Sequence, residues 1–342
     1  MPNTIKDVAE KAGVSTATVS LVVHNNSRIS SETRKKVLKV IKQLNYIPSR
    51  SARRLVSKRT GNIGFVLTED HFLKTEPFYT LILLGTEFAT RETNYYVLLT
   101  TVNSKFVKDE PLPRFIKEKN VDGIIIAGKI PLQLIDRIKH INIPIVFVDY
   151  YPPDGDFPVV MIDNIKGGML ATQHLIELGH RKIGFVGGDL NHPSISERLY
   201  GYRKALEQAS IEVNSAYIST KELSTVKQTG YSAAVKLFSK APDLTAVFAC
   251  NDAMALGVLQ YLKENKYKVP EDISLIGFDD IESDLIADPA LSTIKVHKIE
   301  LGVEAMKLIV NVIDNNDPSP KRILIPVELV IRESTKKNQI IM

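Results

Sequence analysis

At 342 residues the chain is too long for one small domain, and two or three are expected. Hydrophobic residues make up 44%, enough for sizeable cores, and the single cysteine, Cys250, excludes an internal disulfide and suits a reducing cytosol. The net charge of +5 is unevenly spread: residues 1–59 hold 13 Lys or Arg against 3 Asp or Glu, whereas the remainder holds 31 against 36.

Ile5, Val8, Ala9 and Ala12 recur at i, i+3, i+4 and i+7, which predicts a short amphipathic helix. Thr4 stands as its N-cap, with Asp7 three residues on as a capping-box partner. Gly13 breaks the helix where a tight turn needs a permissive backbone. Ser15 can cap a second helix, with Val14 and Val19 at the two ends of a hydrophobic staple. That helix buries Val19, Val22 and Val23 and leaves Thr16, Ala17, Ser20, Leu21 and His24 on or near its outer face. Two short helices around a glycine turn, the second with small outward side chains, suit insertion into a DNA major groove. A generic helical hairpin in some core would carry the same pattern. The concentration of cations beside it favours the DNA reading, a basic head on an acidic body.

A third helix fits Ser31 to Asn45, with Val37, Val40, Ile41 and Leu44 facing inward, and Tyr46-Ile47-Pro48 stops it. The stretch Ser49 to Leu55 carries three arginines around one leucine. Alone it is too short and too cationic for a stable helix in water; against phosphates it could form one. Residues 56–62 read as linker.

From Ile63 the texture changes to strands alternating with helices. Strands are expected at Ile63–Leu67, Tyr96–Thr100, Gly123–Ala127 and Ile145–Asp149, with helices at Phe78–Thr90 and Leu132–His140. After the Pro-rich loop of residues 151–158 the rhythm restarts at Val159–Ile162. It runs through helices Gly167–Leu178, Ser196–Ala209, Gln228–Ser239 and Ala253–Glu264. Between them fall strands Lys182–Val186, Tyr217–Ser219, Ala246–Ala249 and Ser274–Gly277. Continuous apolar strands between helices mean parallel sheets covered on both faces, here in two α/β lobes. A tail of strand Leu291–Lys295, helix Glu300–Asp314 and strands Arg322–Ile325 and Glu328–Ile331 must join one or both.

Ligands of open α/β sheets bind beyond the carboxyl ends of the strands. Asp149, Asn251, Asp252 and Asp279 stand at such ends, and Arg198 lies early in the helix after Lys182–Val186. Carboxylates, an amide and a guanidinium match adjacent sugar hydroxyls. Asp252 also fits as an N-cap. Enzyme readings find no support: Walker A, Gly-x-Gly-x-x-Gly and His-Glu-x-x-His sequences are missing, and the seven histidines show no ligand spacing. Neither a cofactor nor a metal is expected. No apolar segment follows Met1 and no run reaches spanning length, so a cytoplasmic protein without membrane association is expected.

The chain closely resembles the LacI/GalR family of bacterial transcription regulators. The resemblance is carried by Thr4-Ile5-Lys6-Asp7-Val8-Ala9, Gly13-Val14-Ser15 and Ala17-Thr18-Val19-Ser20, then Thr33-Arg34, Asn45-Tyr46 with Pro48, and Ala52-Arg53 with Leu55. Later landmarks are Gly179-His180, Asn251-Asp252 with Met254-Ala255-Leu256-Gly257, Gly277-Phe278-Asp279 and Arg332-Glu333-Ser334. They run through nearly the whole length in the family's order.

The resemblance implies a fold of an all-α helix-turn-helix head followed by a two-lobed periplasmic-binding-protein-like core of doubly wound parallel sheets. It assigns residues 1–48 to the head and 49–60 to a hinge helix and linker. The first lobe would take 61–160 with 291–321, and the second 162–290 with 322–336. DNA contacts are expected from Thr4, Ser15, Thr16, Ala17, Thr18, Ser20, Leu21, His24 and Arg28, and in the hinge from Ser49, Ala52, Arg53 and Leu55. There the leucine would wedge a minor-groove base step. Asp149, Arg198, Asn251 and Asp279 would form the effector pocket, with Phe78 and Tyr79 as its apolar wall.

The implied function is a homodimeric, ligand-responsive repressor on a palindromic operator in double-stranded DNA, controlling carbohydrate-utilisation genes. A nucleobase effector or a protein corepressor stays open within this class. Outside it stand a solute-binding protein and a cytosolic sugar-modifying enzyme. The chain departs from the family at Leu21, at His24, in 224–227, which lacks an aromatic, and at Lys298, where some relatives carry one.

Overall fold

In the computed structural model, residues 3–23, 28–46, 59–70, 77–107, 109–153 and 156–338 are described. Two units divide the chain at Gly61/Asn62, and each is considered by itself.

The first unit holds helices α1 (Ile5–Ala12), α2 (Thr16–Val23) and α3 (Ser31–Gln43). Thr4 caps α1 in a reciprocal box: its backbone N–H donates to Asp7 Oδ2 at 2.6 Å and its hydroxyl accepts from Asp7 N at 3.4 Å. Gly13 adopts φ 62°, the left-handed turn that a Cβ would strain, and α2 begins three residues later. Ser15 Oγ accepts from Thr18 N at 3.1 Å and so caps α2. Val8, Ala9, Ala12, Val19, Val22, Val37, Val40 and Tyr46 form the core, with Val14, Val23, Ile41 and Leu44 packed against it.

The second unit contains two parallel sheets. The first is built from β1 (Asn62–Thr68), β2 (Tyr96–Val102), β3 (Gly123–Ala127), β4 (Ile145–Val148) and β5 (Val159–Ile162). Helices α4 (Phe78–Ala89), α5 (Arg114–Lys117) and α6 (Leu132–Lys139) lie along this stretch. The chain continues through α7 (Asn164–Glu177), β6 (Ile183–Val186), α8 (Pro193–Gln208), β7 (Ile218–Ser219), α9 (Lys227–Lys240), β8 (Ala246–Ala249), α10 (Asp252–Glu264) and β9 (Ser274–Ile276). Then come α11 (Ser283–Ile286), β10 (Thr293–Val296), α12 (Lys298–Asn315), β11 (Arg322–Ile325) and β12 (Val327–Val330).

The strand orders are β11-β5-β4-β3-β1-β2 in the first sheet and β7-β6-β8-β9 in the second. Alternate residues of the first sheet serve opposite faces. Phe65, Ile125, Val146 and Val160 join one core with Ile82, Leu301 and Ala305, while Val66, Ile124, Ile126 and Phe147 join another with Leu134 and Ile138. Both faces are covered, as continuous apolar strands require.

The tail corrects the lobe boundaries expected from sequence. β11 pairs in parallel with β5, Arg322 beside Val159 and Ile325 beside Ile162, so 322–325 completes the first sheet and not the second half. β10 pairs antiparallel with β12, and Ile276 and Asp279 bridge to Ser292 and Lys295, so 291–296 lies with the second half. α12 then returns to pack against α4, β3, β4 and β5. Partner choice between distant strands made this division, and no local pattern announces it.

Candidate functional site

On the head, Thr16, Ala17 and Leu21 are exposed and Thr18 and Ser20 half-exposed. At helical spacing Thr16 and Ser20, like Ala17 and Leu21, follow one another along the same face of α2. Thr4 and Ser15 are spent as caps, and Ser15 Oγ and Thr18 Oγ1 also lie 2.9 Å apart. Arg28, Lys35, Lys36, Lys39 and Lys42 are exposed. His24, Ser49, Ala52, Arg53 and Leu55 lie outside the described residues.

In the second unit, Phe78, Tyr79, Asp149, Arg198, Asn251 and Asp279 all line one cavity of about 430 Å³. Asp149, Asn251 and Asp279 reach it from just beyond β4, β8 and β9, because parallel strands point their carboxyl ends the same way. Arg198 reaches it from the second turn of α8. That helix is seated tightly on α7: a Cβ on Gly168 would lie 2.4 Å from Arg198 O, so only glycine lets the backbones approach this closely.

Asp149 is buried and accepts from Tyr79 Oη at 3.0 Å and from Ser194 Oγ at 2.8 Å. Burial and the adjacent Asp149 carboxylate push the Tyr79 hydroxyl well above its usual range, keeping it a donor. Arg198 is also buried. Its Nε donates to Asn164 Oδ1 at 2.9 Å, its Nη1 to Cys250 O at 2.6 Å, and its guanidinium carbon lies 3.7 Å from the Phe278 ring centre. Asp279 Oδ1 has no hydrogen-bond partner among the described residues, and Arg198 Nη1 stands 3.6 Å away. Burial dominates over that cation and raises the Asp279 carboxyl to about 7, with the Asp252 and Asp149 charges adding to the rise.

Of two neighbours, Asn251 lines the cavity as expected and also takes the cap expected of Asp252. Asn251, not Asp252, is the N-cap of α10: its Oδ1 accepts from Met254 N at 2.9 Å, while Nδ2 donates to Thr225 O at 2.9 Å. Asp252 is fully buried, accepting from Thr293 Oγ1 at 2.7 Å and from Ile281 N at 3.3 Å. The Ile281 N–H also reaches Asp284 Oδ2 at 3.0 Å. Burial pushes both carboxyls up, and the pair supports the backbone of Ile281, itself part of the cavity wall.

Sequence reasoning missed His192, Ser194 and Gln228, which also line the cavity, as does Thr225 in the 224–227 stretch already noted as lacking an aromatic. The signal was Pro193: a proline fits the first helical turn, and α8 starts there, three residues before the expected Ser196. His192 Nδ1 is buried without a partner among the described residues, and burial lowers the imidazole's affinity for a proton. Lys298, noted in the sequence where some relatives carry an aromatic, is not in the lining; its buried ammonium donates to Asp279 O and, at 3.1 Å, to Asp280 O.

Comparison with known proteins adds the following. Residues 4–49 match the family model of bacterial regulatory proteins, lacI family, and residues 172–335 that of a periplasmic binding protein-like domain. The chain is 35% identical to the HTH-type transcriptional repressor PurR of Mannheimia succiniciproducens, over 98% of this chain and 99% of that one. It is also 35% identical to the HTH-type transcriptional regulator CelR of Thermobifida fusca, over 97% and 98%. Among solved structures it is similar to a transcriptional regulator CelR–cellobiose complex (32% identity, TM-score 0.72, 97% and 99% covered). It is likewise similar to a lac repressor dimer bound to operator and the anti-inducer ONPF (28% identity, TM-score 0.77, 98% and 100% covered).

Proposed function

Because the chain belongs to the lacI family of bacterial regulatory proteins, and is with them a ligand-responsive transcriptional regulator rather than an enzyme, we propose that it is a homodimeric repressor of carbohydrate-utilisation genes. Its effector is a sugar or sugar derivative held by Phe78, Tyr79, Asp149, Arg198, Asn251 and Asp279. The observation that carries this reading is the convergence on one cavity of carboxylate and amide groups from separate strand ends and a guanidinium from a helix, with Asp279 Oδ1 lacking a donor among the described residues. A sugar hydroxyl supplies that donor, and its oxygen can accept from a guanidinium or amide. The similar CelR structure is named as a cellobiose complex, and a further one, at 28% identity, as having bound ribose.

At the DNA end, α2 enters the major groove with Thr16, Ala17, Ser20 and Leu21 toward the base edges. Leu21 offers no hydrogen bond, so it reads a thymine methyl or excludes water. Arg28 and the α3 lysines bind phosphates. The hinge expected at residues 49–55, outside the described residues, is the proposed minor-groove contact, with Leu55 as its wedge. The homodimer reading is supported by apolar side chains left exposed on one edge of the first sheet: Tyr96 and Leu99 on the edge strand β2, Leu84 and Phe88 on α4 beside it.

A thermal-shift screen with cellobiose, ribose, other sugars and nucleobases tests the effector class, repeated with palindromic duplex DNA present. A sugar that raises the melting temperature and changes the affinity for that duplex supports the proposal. Stabilisation by a nucleobase alone refutes the sugar reading.

A further inference from the structure

Among the described residues the chain passes between the two halves of the second unit three times. The passages are at Asp163 between β5 and α7, at His297 between β10 and α12, and at Pro326 between β11 and β12. They are fastened to one another: Asp163 N donates to Ile325 O at 3.0 Å, and His297 Nε2 lies 3.2 Å from Glu328 Oε1.

Two of them are also fastened to the cavity wall. Asn164, the first residue of α7, accepts from Arg198 Nε on its Oδ1, and its Nδ2 reaches back across the passage to Ile162 O at 3.2 Å. Lys298, the first residue of α12, sends its buried ammonium to the carbonyls of Asp279 and Asp280. Burying an ammonium costs several kcal/mol unless its donors are matched, so this contact is not incidental surface pairing. The turn it holds is unusual. Asp279 and Asp280 have φ of 121° and 57°, conformations that L side chains rarely adopt and that persist only where the surroundings enforce them. Arg332 Nη2 also donates to the Asp280 carboxylate at 2.5 Å. Arg198 and Asp279 thus face each other in the cavity while each is held by a different passage.

We infer that Asn164 and Lys298 are positioning residues that couple the angle between the two halves to the placement of Arg198 and Asp279. Rotation of one half moves α12 relative to the 279–280 turn, pulls the ammonium off its carbonyls and removes the support of a strained backbone. The same rotation at the first passage draws Asn164 from the guanidinium. Wall and angle therefore change together, and a molecule that seats on Arg198 and Asp279 selects one angle by differential affinity. Only that last step rests on the effector reading of the cavity.

The test needs no effector. Spin labels on Gln133→Cys in α6 and Lys240→Cys in α9, both exposed positions, report the angle by pulsed electron paramagnetic resonance, with labelled chains diluted in unlabelled protein. Cys250 stays unlabelled because it is fully buried. Lys298→Met and Asn164→Ala are each expected to shift or broaden the distance distribution, and Lys298→Arg, which keeps the charge and donors, to lie nearer the parent. Parent-like distributions in folded Lys298→Met and Asn164→Ala overturn the inference. If Lys298→Met does not fold, Asn164→Ala against Lys298→Arg decides it in the same way. Failure here leaves the sugar reading intact, and failure of the ligand screen leaves this coupling intact.

Discussion

Asp279 Oδ1 and Arg198 Nη1 stand 3.6 Å apart in the same cavity wall, both side chains buried, too far for a hydrogen bond and close enough to feel each other's charge. Arg198 is held off by its bonds to Asn164 and Cys250 O, so Asp279 keeps an oxygen without a donor among the described residues.

The first prediction concerns pH. Asp279 is raised to about 7, so between its ordinary carboxylate range and pH 7 the folded protein binds a proton that the unfolded chain has released. Stability from this group is therefore present at low pH and is lost as pH rises toward 7. Asp279→Asn removes the titration. The melting-temperature difference, variant minus parent, should be smallest at or below pH 4, grow positive as pH rises from there to 7 and level off above it; a flat difference refutes the assignment.

Removing the cation has a related signature. Arg198→Met leaves Asn164 Oδ1 and Cys250 O without their donor and Asp279 without its nearest positive charge. A loss of about 3–5 kcal/mol in urea denaturation at pH 8 is expected, the scale for breaking a buried pair. The loss should shrink at pH 5, where a protonated Asp279 no longer needs the cation. Arg198→Lys should fall short of restoring stability, since an ammonium cannot hold both partners with the same fork.

Ser15→Ala removes the side-chain cap at the start of α2, and about 1 kcal/mol of helix stability with it. Amide exchange in residues 16–23 should quicken while exchange in the second unit is unchanged. Affinity for duplex DNA should fall if α2 is the recognition helix. Unchanged affinity alongside faster exchange would count against that role.

Leu55→Ala should weaken specific operator binding by about tenfold or more, on the scale of an intercalating wedge, with the melting temperature unaltered. Gel-shift titrations at several salt concentrations separate the effects. The wedge is uncharged, so the salt slope should be preserved while the affinity drops.

The head was legible from the chain because its determinants are local. The Thr4–Asp7 box, the Gly13 turn and the inward valines each act over a few residues, and the structure has them as read. The strand-end residues were legible for a similar reason: an apolar run followed by a polar residue marks a carboxyl end, and parallel pairing brings such ends together. Which neighbour does what was less legible. Asn251 and Asp252 are both good caps, and only the buried partners Thr293 and Ile281 decide that Asp252 turns inward. His192 and Ser194 escaped because a helix start three residues earlier than expected moves a loop into the cavity wall.

Composition, charge asymmetry, helix periodicity and the order of strands and helices thus marked the head, the two-sheet class and the polar residues Asp149, Arg198, Asn251 and Asp279 near strand ends, whereas Phe78 and Tyr79 came only from the family resemblance. The tertiary structure alone decided where the tail strands go, with 322–325 beside 159–162 and 293–296 beside 327–330, and that Lys298 holds the 279–280 turn. The physical reason is the range of the forces that choose. Caps and apolar stripes are won or lost within a turn of helix. A strand's partner is chosen by hydrogen bonds and burial between segments far outside that range, and a buried ammonium by whichever carbonyls the fold brings close enough to replace its water.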